Sequence, residues 1–168
     1  MRILVTAASK HGATAEIAEA VARNLRSLGH AVEVVPPQDG ASLEPYEAVV
    51  LGSAVYTGHW LAPAKQFAAQ HAAALRERPV WLFSSGPIGD PPKPQETPAD
   101  VAAILDQTGA RAHQLFAGRL DRSQLGFAAR AVTRVVHAPD GDFRDWTAVA
   151  DWAVGIASTL SSETAVRP

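Results

Sequence analysis

The sequence predicts one doubly wound α/β domain, in which a five-stranded parallel sheet carries helices on both faces. Short apolar runs alternate along the chain with longer segments whose apolar residues recur every three or four positions. Glycine or proline follows many of these segments, as expected where strands and helices end. The 168 residues are enough for one domain, and no repeat or linker divides them.

The five expected strands are short, continuous apolar runs, which are typical of parallel strands covered on both faces. Thr6 closes the first strand, the pair Pro36-Pro37 stops the second, and Gly52 ends the third. The strands are expected at residues 3–5, 31–35, 47–52, 79–84 and 112–118.

The expected helices follow the strands, at residues 14–28, 62–75, 98–107 and 142–160. Ile17, Val21 and Leu25 are spaced by four residues and therefore lie on one face of the first helix. Gly29 stands directly after that helix, where a C-terminal cap is expected. Residues 1–160 are therefore expected to form one domain, with 161–168 as a frayed tail.

Composition excludes several classes of chemistry. The chain has no cysteine, so disulfides, thiolate metal sites, iron–sulfur clusters and a cysteine nucleophile are ruled out. Its net charge of −2 argues against a nucleic-acid-binding protein. No metal site is expected, because ligand spacing is absent among His11, His30, His59, His71, His113 and His137. Without an apolar run of membrane-span length or a signal peptide, a cytoplasmic location is expected.

Ligands of such folds bind beyond the carboxyl ends of the strands, so the loops at 6–14, 52–61, 84–98 and 118–141 are the informative ones. The first combines the hydroxyls of Ser9 and Thr14 with Gly12 and Lys10 ahead of a helix, which favours a phosphate. The alternative is a hydroxyl-rich turn that only caps the helix. The chain lacks the G-x-x-x-x-G-K-[ST] and G-x-G-x-x-G phosphate motifs.

The second and third loops are suited to a flat ligand. In the second, Tyr56 or Trp60 offers an aromatic ring for stacking, although packing of Trp60 in the core is an equal alternative. The third is rich in proline and glycine, and a stiff loop of this kind can hold a planar group with its backbone. Beyond Asp90, a variable surface loop is the preferred interpretation.

The run from Ser9 to Thr14, Ser-Lys-His-Gly-Ala-Thr, resembles the flavodoxin phosphate loop S/T-x-x-G-x-T. This resemblance implies a flavodoxin-like three-layer sandwich with strand order 2-1-3-4-5 and bound FMN. It also implies which residues hold the phosphate and surround the isoalloxazine ring. They are Ser9, Lys10, His11, Gly12, Ala13, Thr14, Ser53, Ala54, Val55, Tyr56, Thr57, Gly58, His59, Ser85, Gly86, Pro87 and Gly89.

Within the flavodoxins, the first loop, residues 52–59 and residues 141–146 resemble the menaquinone-dependent protoporphyrinogen dehydrogenases. This branch implies an FMN-dependent oxidoreductase that oxidises a porphyrinogen with a quinone acceptor. The alternatives are an electron carrier between redox proteins and a module that has lost FMN. Ala8 replaces a usual hydroxyl, which keeps the last alternative open, whereas the weak net charge and a third loop without a stacking tyrosine favour an enzyme.

The segment after the fifth strand carries opposite charges in adjacent blocks, net +3 over 119–136 and net −3 over 140–151. A basic amphipathic helix is expected at 123–136, and Arg130 and Arg134 are candidates for binding a substrate carboxylate. The same segment is suited to peripheral contact with an anionic membrane. The competing interpretation pairs these arginines with the following acidic block.

Overall fold

We describe the fold from a computed structural model, which describes residues 1–86, 97–120 and 141–166. The expected helix at 123–136 lies outside the described residues, and so do the site candidates Pro87, Gly89, Arg130 and Arg134. No helix in the described ranges is long and apolar enough to cross a membrane.

Five strands build the main sheet: β1 (Arg2–Ala8), β2 (Ala31–Val34), β3 (Ala48–Tyr56), β5 (Val80–Ser85) and β6 (Ala112–Phe116). A two-residue strand, β4 (His59–Trp60), folds back on β3, and β7 (Arg119–Leu120) pairs with β8 (Gly141–Asp142). The helices are α1 (Ala13–Ser27), α2 (Ala62–Gln70), α3 (Ala72–Arg76), α4 (Val101–Thr108) and α5 (Trp146–Val166), with a 3₁₀ turn at Pro37–Asp39.

The main sheet has the order β2-β1-β3-β5-β6, and all four of these pairings are parallel. Because β4 lies off this path, the order is the predicted 2-1-3-4-5, which is therefore confirmed. Leu4 of β1 lies beside Val49 of β3, and Val49 lies beside Val80 of β5. The strand ends are thereby aligned along one carboxyl edge.

Helices cover both faces of the sheet, as the continuous apolar strands require. On one face, Ile3 and Val5 of β1 belong to a buried cluster that includes Ile17 of α1 and Ile156 of α5. On the other, Leu4 belongs to a second cluster that includes Phe67 of α2 and Ile104 of α4. Successive strand residues point to opposite faces, so each strand contributes to both cores.

Several element boundaries differ from the prediction. The helix expected over 62–75 is interrupted at His71, where ψ is 13°. The last helix begins at Trp146, because the side chain of Asp145 accepts the Ala148 N–H at 3.0 Å, and it runs through Val166. Residues 161–166, expected in the tail, are therefore helical. The helix extends further than periodicity indicates, because periodicity marks a buried face and α5 continues beyond Leu160, its last buried residue in the described range.

Candidate cofactor site at the carboxyl edge of the sheet

The carboxyl ends of three neighbouring strands bring the predicted loops together. Ala8 at the end of β1 is paired with Ser53 of β3, and Ala54 is paired with Ser85 at the end of β5. The first loop, the second loop and the start of the third therefore leave the sheet side by side. Ala8 itself is buried in the second core cluster.

The first loop leads into α1 through Gly12, whose backbone has the left-handed conformation. Gly12 has φ +84° and occupies the N-cap position, where no side chain caps the helix. Its N–H donates to Ser9 Oγ at 3.1 Å, which closes the loop. The first N–H groups of a helix have no intrahelical acceptor, so this end of α1 offers backbone donors to an anion.

The first and second loops meet at Tyr56. Lys10 Nζ lies 5.1 Å from the centroid of the Tyr56 ring, and the His11 ring centroid is 6.4 Å from it. Partial burial raises the pKa of the Tyr56 hydroxyl, which therefore stays protonated at neutral pH. The structure thus brings the ammonium group of Lys10 and the imidazole of His11 close to an aromatic ring that lies 45 or more residues further along the sequence.

Arg144 links the first turn of α1 to the C-terminal part of the chain through hydrogen bonds. This buried guanidinium donates to the Ala13 carbonyl at 3.2 Å, to Glu16 Oε2 at 2.7 Å and to Asp142 Oδ2 at 2.6 Å. It also lies 4.5 Å from the centroid of the exposed Trp146 ring. Hydrogen bonds from Arg144 hold the pKa values of Glu16 and Asp142 below their ordinary range. An arginine within an acidic block is the one sequence feature at this position, and it does not predict the contact with α1.

The second loop is a tight hairpin between β3 and β4. Thr57 and Gly58 have φ +49° and +79°, as a two-residue type I′ turn requires. Tyr56 is paired with His59, and both side chains are exposed. This hairpin is not predicted from the sequence, because β4 is only two residues long.

Trp60 is packed in the core, which settles the choice left open by the sequence. Its side chain is 2% exposed, and its Nε1 donates to Ser84 Oγ at 2.7 Å. Ser84 Oγ also lies 2.7 Å from His113 Nε2. Burial lowers the pKa of His113. Tyr56 is therefore the aromatic side chain of this loop that remains available to stack on a flat ligand.

Four of the predicted site residues have buried side chains: Thr14, Ser53, Ala54 and Ser85. The Ser53 hydroxyl accepts the Leu61 N–H at 2.9 Å and donates to the Ala54 carbonyl at 2.8 Å. It is therefore engaged within the fold. A ligand at this edge can therefore contact the backbone groups of Ser53 and Ala54, but not their side chains.

The start of the third loop is crowded against β3 and the end of β6. A Cβ on Gly86 would lie 2.9 Å from the Val55 Cβ, and one on Gly118 would lie 3.3 Å from the Gly86 Cα. The Gly86 N–H donates to the Phe116 carbonyl at 3.4 Å. A side chain larger than that of glycine would not fit at Gly86 without displacing Val55, so the backbone of the third loop passes directly beside β3.

Asp100, just before α4, holds the second loop in place. Its Oδ2 accepts the Trp60 N–H at 2.8 Å and lies 3.2 Å from His59 Nδ1 and 3.6 Å from Lys65 Nζ. Partial burial acts to raise the pKa of Asp100, but the hydrogen bonds and the neighbouring ammonium outweigh it and lower the pKa overall. The Ala99 N–H donates to the Gly58 carbonyl at 3.0 Å. An aspartate ahead of an apolar helix predicts a helix start, but not this contact 40 residues away.

Among the residues that the structure describes, no group of three or more histidine, aspartate or glutamate side chains is placed to hold a metal ion. The site is therefore defined by a backbone anion cradle, Lys10, His11, Tyr56 and the His59–Asp100 pair.

Comparison with known proteins adds two findings from sequence. Residues 4–147 match the flavodoxin domain family. The protoporphyrinogen IX dehydrogenase (quinone) of Escherichia coli strain K12 is 24% identical over 179 aligned residues, which cover 98% of this chain and 99% of that protein.

Solved structures share the fold at low sequence identity. A flavodoxin from the domain Archaea superposes with a TM-score of 0.67 at 18% identity, covering 96% of this chain and 99% of that chain. The rubredoxin oxygen:oxidoreductase of Desulfovibrio gigas superposes with a TM-score of 0.69 at 14% identity, covering 98% of this chain but 37% of that chain. These similarities support the flavodoxin-like arrangement of the sheet and helices.

Proposed function

This chain belongs to the flavodoxin domain family, and we propose that it binds FMN and works as an oxidoreductase that oxidises a porphyrinogen with a quinone as acceptor. The observation that carries the proposal is the uncapped first turn of α1, which lies beside Lys10 and close to the exposed ring of Tyr56. When bound, FMN supplies the redox chemistry through its ring.

The residues of the first loop fit the phosphate of FMN. Gly12, in the left-handed conformation, leads the chain into α1 so that the first N–H groups of the helix face outward. Ser9 Oγ accepts the Gly12 N–H, so the Ser9 hydroxyl proton remains available to donate to the phosphate. The first carboxylate of α1, Glu16, is neutralised by Arg144 and by Arg119 at 3.2 Å. The donor set is therefore suited to a dianion.

The isoalloxazine ring is assigned to the second loop and the start of the third. Tyr56 offers the exposed aromatic surface, and Gly86 brings the backbone of the third loop close to Val55 near the end of β3. Pro87 and Gly89, which lie outside the described residues, are assigned to the ring by the resemblance alone. Lys10, in the first loop, is assigned to the phosphate subsite, to which its ammonium group contributes positive charge.

A binding experiment separates the phosphate subsite from the ring subsite. Apoprotein is titrated with FMN and with riboflavin, which lacks the phosphate, and binding is followed by quenching of flavin fluorescence. Ser9→Ala and Lys10→Met should weaken FMN binding by about tenfold each, the equivalent of one charge-assisted hydrogen bond, and leave riboflavin binding unchanged. Tyr56→Ala should weaken both ligands. Wild-type protein that binds neither flavin would overturn the proposal.

The substrate assignment is supported by the relative from Escherichia coli, which is a protoporphyrinogen IX dehydrogenase that uses quinone. Arg130 and Arg134 are proposed to bind porphyrinogen carboxylates, and residues 119–136 to contact the membrane that holds the quinone. Arg130→Ala and Arg134→Ala should raise KM for the porphyrinogen and reduce sedimentation with anionic vesicles. Unchanged values in both assays would favour ion pairing with residues 140–151 instead.

The reaction is tested with FMN-loaded protein, a porphyrinogen and a menaquinone analogue under anaerobic conditions, with porphyrin formation followed by absorbance. Porphyrin formed only when FMN, protein and quinone are all present supports the enzyme. Loaded protein that passes electrons to a redox protein but forms no porphyrin would identify a carrier.

A further inference from the structure

The hairpin of the second loop carries a histidine whose ring is oriented by a carboxylate. We propose that His59 is the catalytic base that accepts a proton from the substrate, and that Asp100 is the positioning residue that fixes the required tautomer. This inference rests on the proposed function and assigns a proton-transfer role to His59, in addition to its expected place beside the isoalloxazine ring.

The tautomer follows from the contact between the two side chains. His59 Nδ1 lies 3.2 Å from Asp100 Oδ2, and an ionised carboxylate can only accept a hydrogen bond. The proton of the neutral ring is therefore on Nδ1, and Nε2 keeps its lone pair. The His59 side chain is 55% exposed, so it is accessible to a substrate molecule.

The hairpin places this ring on the ligand side of the loop. His59 is the cross-strand partner of Tyr56, and directly opposed residues of an antiparallel pair project from the same face. Tyr56 in turn contacts Lys10 of the first loop. The imidazole is therefore on the same face as the aromatic ring assigned to the flavin, whereas Trp60 points into the core.

Backbone contacts keep this arrangement rigid. Asp100 Oδ2 accepts the Trp60 N–H, and the Gly58 carbonyl accepts the Ala99 N–H. Thr57, with φ +49°, is the one non-glycine residue with a positive φ in the described parts of the chain. Strained backbone of this kind is concentrated at functional sites, where the surrounding contacts maintain it.

Oxidation of the porphyrinogen releases a proton, and the proposed role of His59 is to accept it. In the first two-electron step, a C–H bond of a bridging carbon in the porphyrinogen breaks, and its electron pair leaves with the hydrogen as hydride, which bound FMN would accept. The N–H bond of an adjoining pyrrole breaks as well, its electron pair completes the new C=N bond, and the proton binds His59 Nε2. The Asp100 carboxylate stabilises the imidazolium that results, and solvent removes the proton before the next step.

Two variants and one control test this assignment. His59→Gln removes the base, and Asp100→Asn keeps an amide oxygen for the Trp60 N–H while it removes the negative charge. His71→Gln, at the junction of α2 and α3, is the control for loss of a histidine elsewhere. FMN affinity, the rate of porphyrinogen oxidation, and the ¹⁵N shifts of the His59 ring in apoprotein are measured for each.

We expect His59→Gln to lower kcat, measured at saturating FMN, by about 10²-fold or more. Asp100→Asn should lower kcat less and, in apoprotein, should shift the His59 proton from Nδ1 towards a mixture of both nitrogens. His71→Gln should retain the wild-type rate. The ring shifts need neither FMN nor substrate, so they distinguish a positioning role of Asp100 from general loss of activity.

Two results would overturn the inference while the proposed function stands: a His59→Gln protein that oxidises porphyrinogen at the wild-type rate, or a wild-type His59 with its proton on Nε2. A wild-type protein that binds no FMN, or forms no porphyrin, overturns the proposed function and this inference with it.

Discussion

Trp60 Nε1 donates a hydrogen bond of 2.7 Å to Ser84 Oγ in the interior of the protein. An indole N–H is only a donor, so the serine oxygen is the acceptor and its own proton is available to a third group. That group is His113, whose Nε2 lies 2.7 Å from the same oxygen. A chain of two hydrogen bonds therefore runs from the second loop, through β5, to β6 beside it.

Removal of the shared hydroxyl should destabilise the protein. Ser84→Ala leaves the buried indole N–H of Trp60 without an acceptor. An unsatisfied buried donor lowers the unfolding free energy by about 1–3 kcal/mol. Urea denaturation followed by circular dichroism measures this loss. Ser85→Ala is the matched control, because Ser85 is buried on the same strand but makes no side-chain hydrogen bond within the described residues, so its loss should be smaller. Equal losses would contradict this role of Ser84.

The protein should lose stability as pH falls from 7 to 5. Burial lowers the pKa of His113 and of His30, so in this window the unfolded chain binds protons that the folded protein does not. Unfolding free energy therefore rises with pH, by at most about 1.4 kcal/mol per pH unit for each histidine. His113→Gln should reduce the slope, and the double variant with His30→Gln should reduce it further, in urea melts at several pH values. A wild-type slope in both variants would contradict this explanation.

The sequence predicted those features that depend on neighbouring residues. Continuous apolar runs predicted the strands, and periodicity with the glycines that follow predicted the helices. The resemblance supplied the strand order, and the run Ser9 to Thr14 marked the turn at Gly12. It did not predict contacts between distant residues. Arg144 contacts the first turn of α1 across 128 residues, and Asp100 meets His59 across 41. Only the packing of α4 and of the C-terminal segment against the site brings these side chains together.

Arg144 should contribute more to stability than Arg119, although both pair with Glu16. The Arg144 side chain is 3% exposed and has three acceptors, whereas Arg119 is 28% exposed. Arg144→Met should lower unfolding free energy by about 1–3 kcal/mol, because it removes the hydrogen bonds of a buried guanidinium, while the partly exposed carboxylates of Glu16 and Asp142 are hydrated in its place. Arg119→Met should cost less than about 1 kcal/mol. Thermal and urea melts of the two variants provide the comparison, and similar losses would show that Arg144 is not the main link.

Two glycine-to-alanine changes should act in opposite directions. A Cβ on Gly52 would lie 2.2 Å from the Phe83 ring, which cannot move freely because it packs edge-on against Phe116 and Trp152. Gly52→Ala should therefore destabilise the protein by about 1–3 kcal/mol through overpacking. A Cβ on Gly155, in the exposed face of α5, meets no atom within 4 Å, so Gly155→Ala should stabilise it by about 0.5–1 kcal/mol. Differential scanning calorimetry measures both shifts, and destabilisation by Gly155→Ala would show that this face of α5 is covered in the native protein.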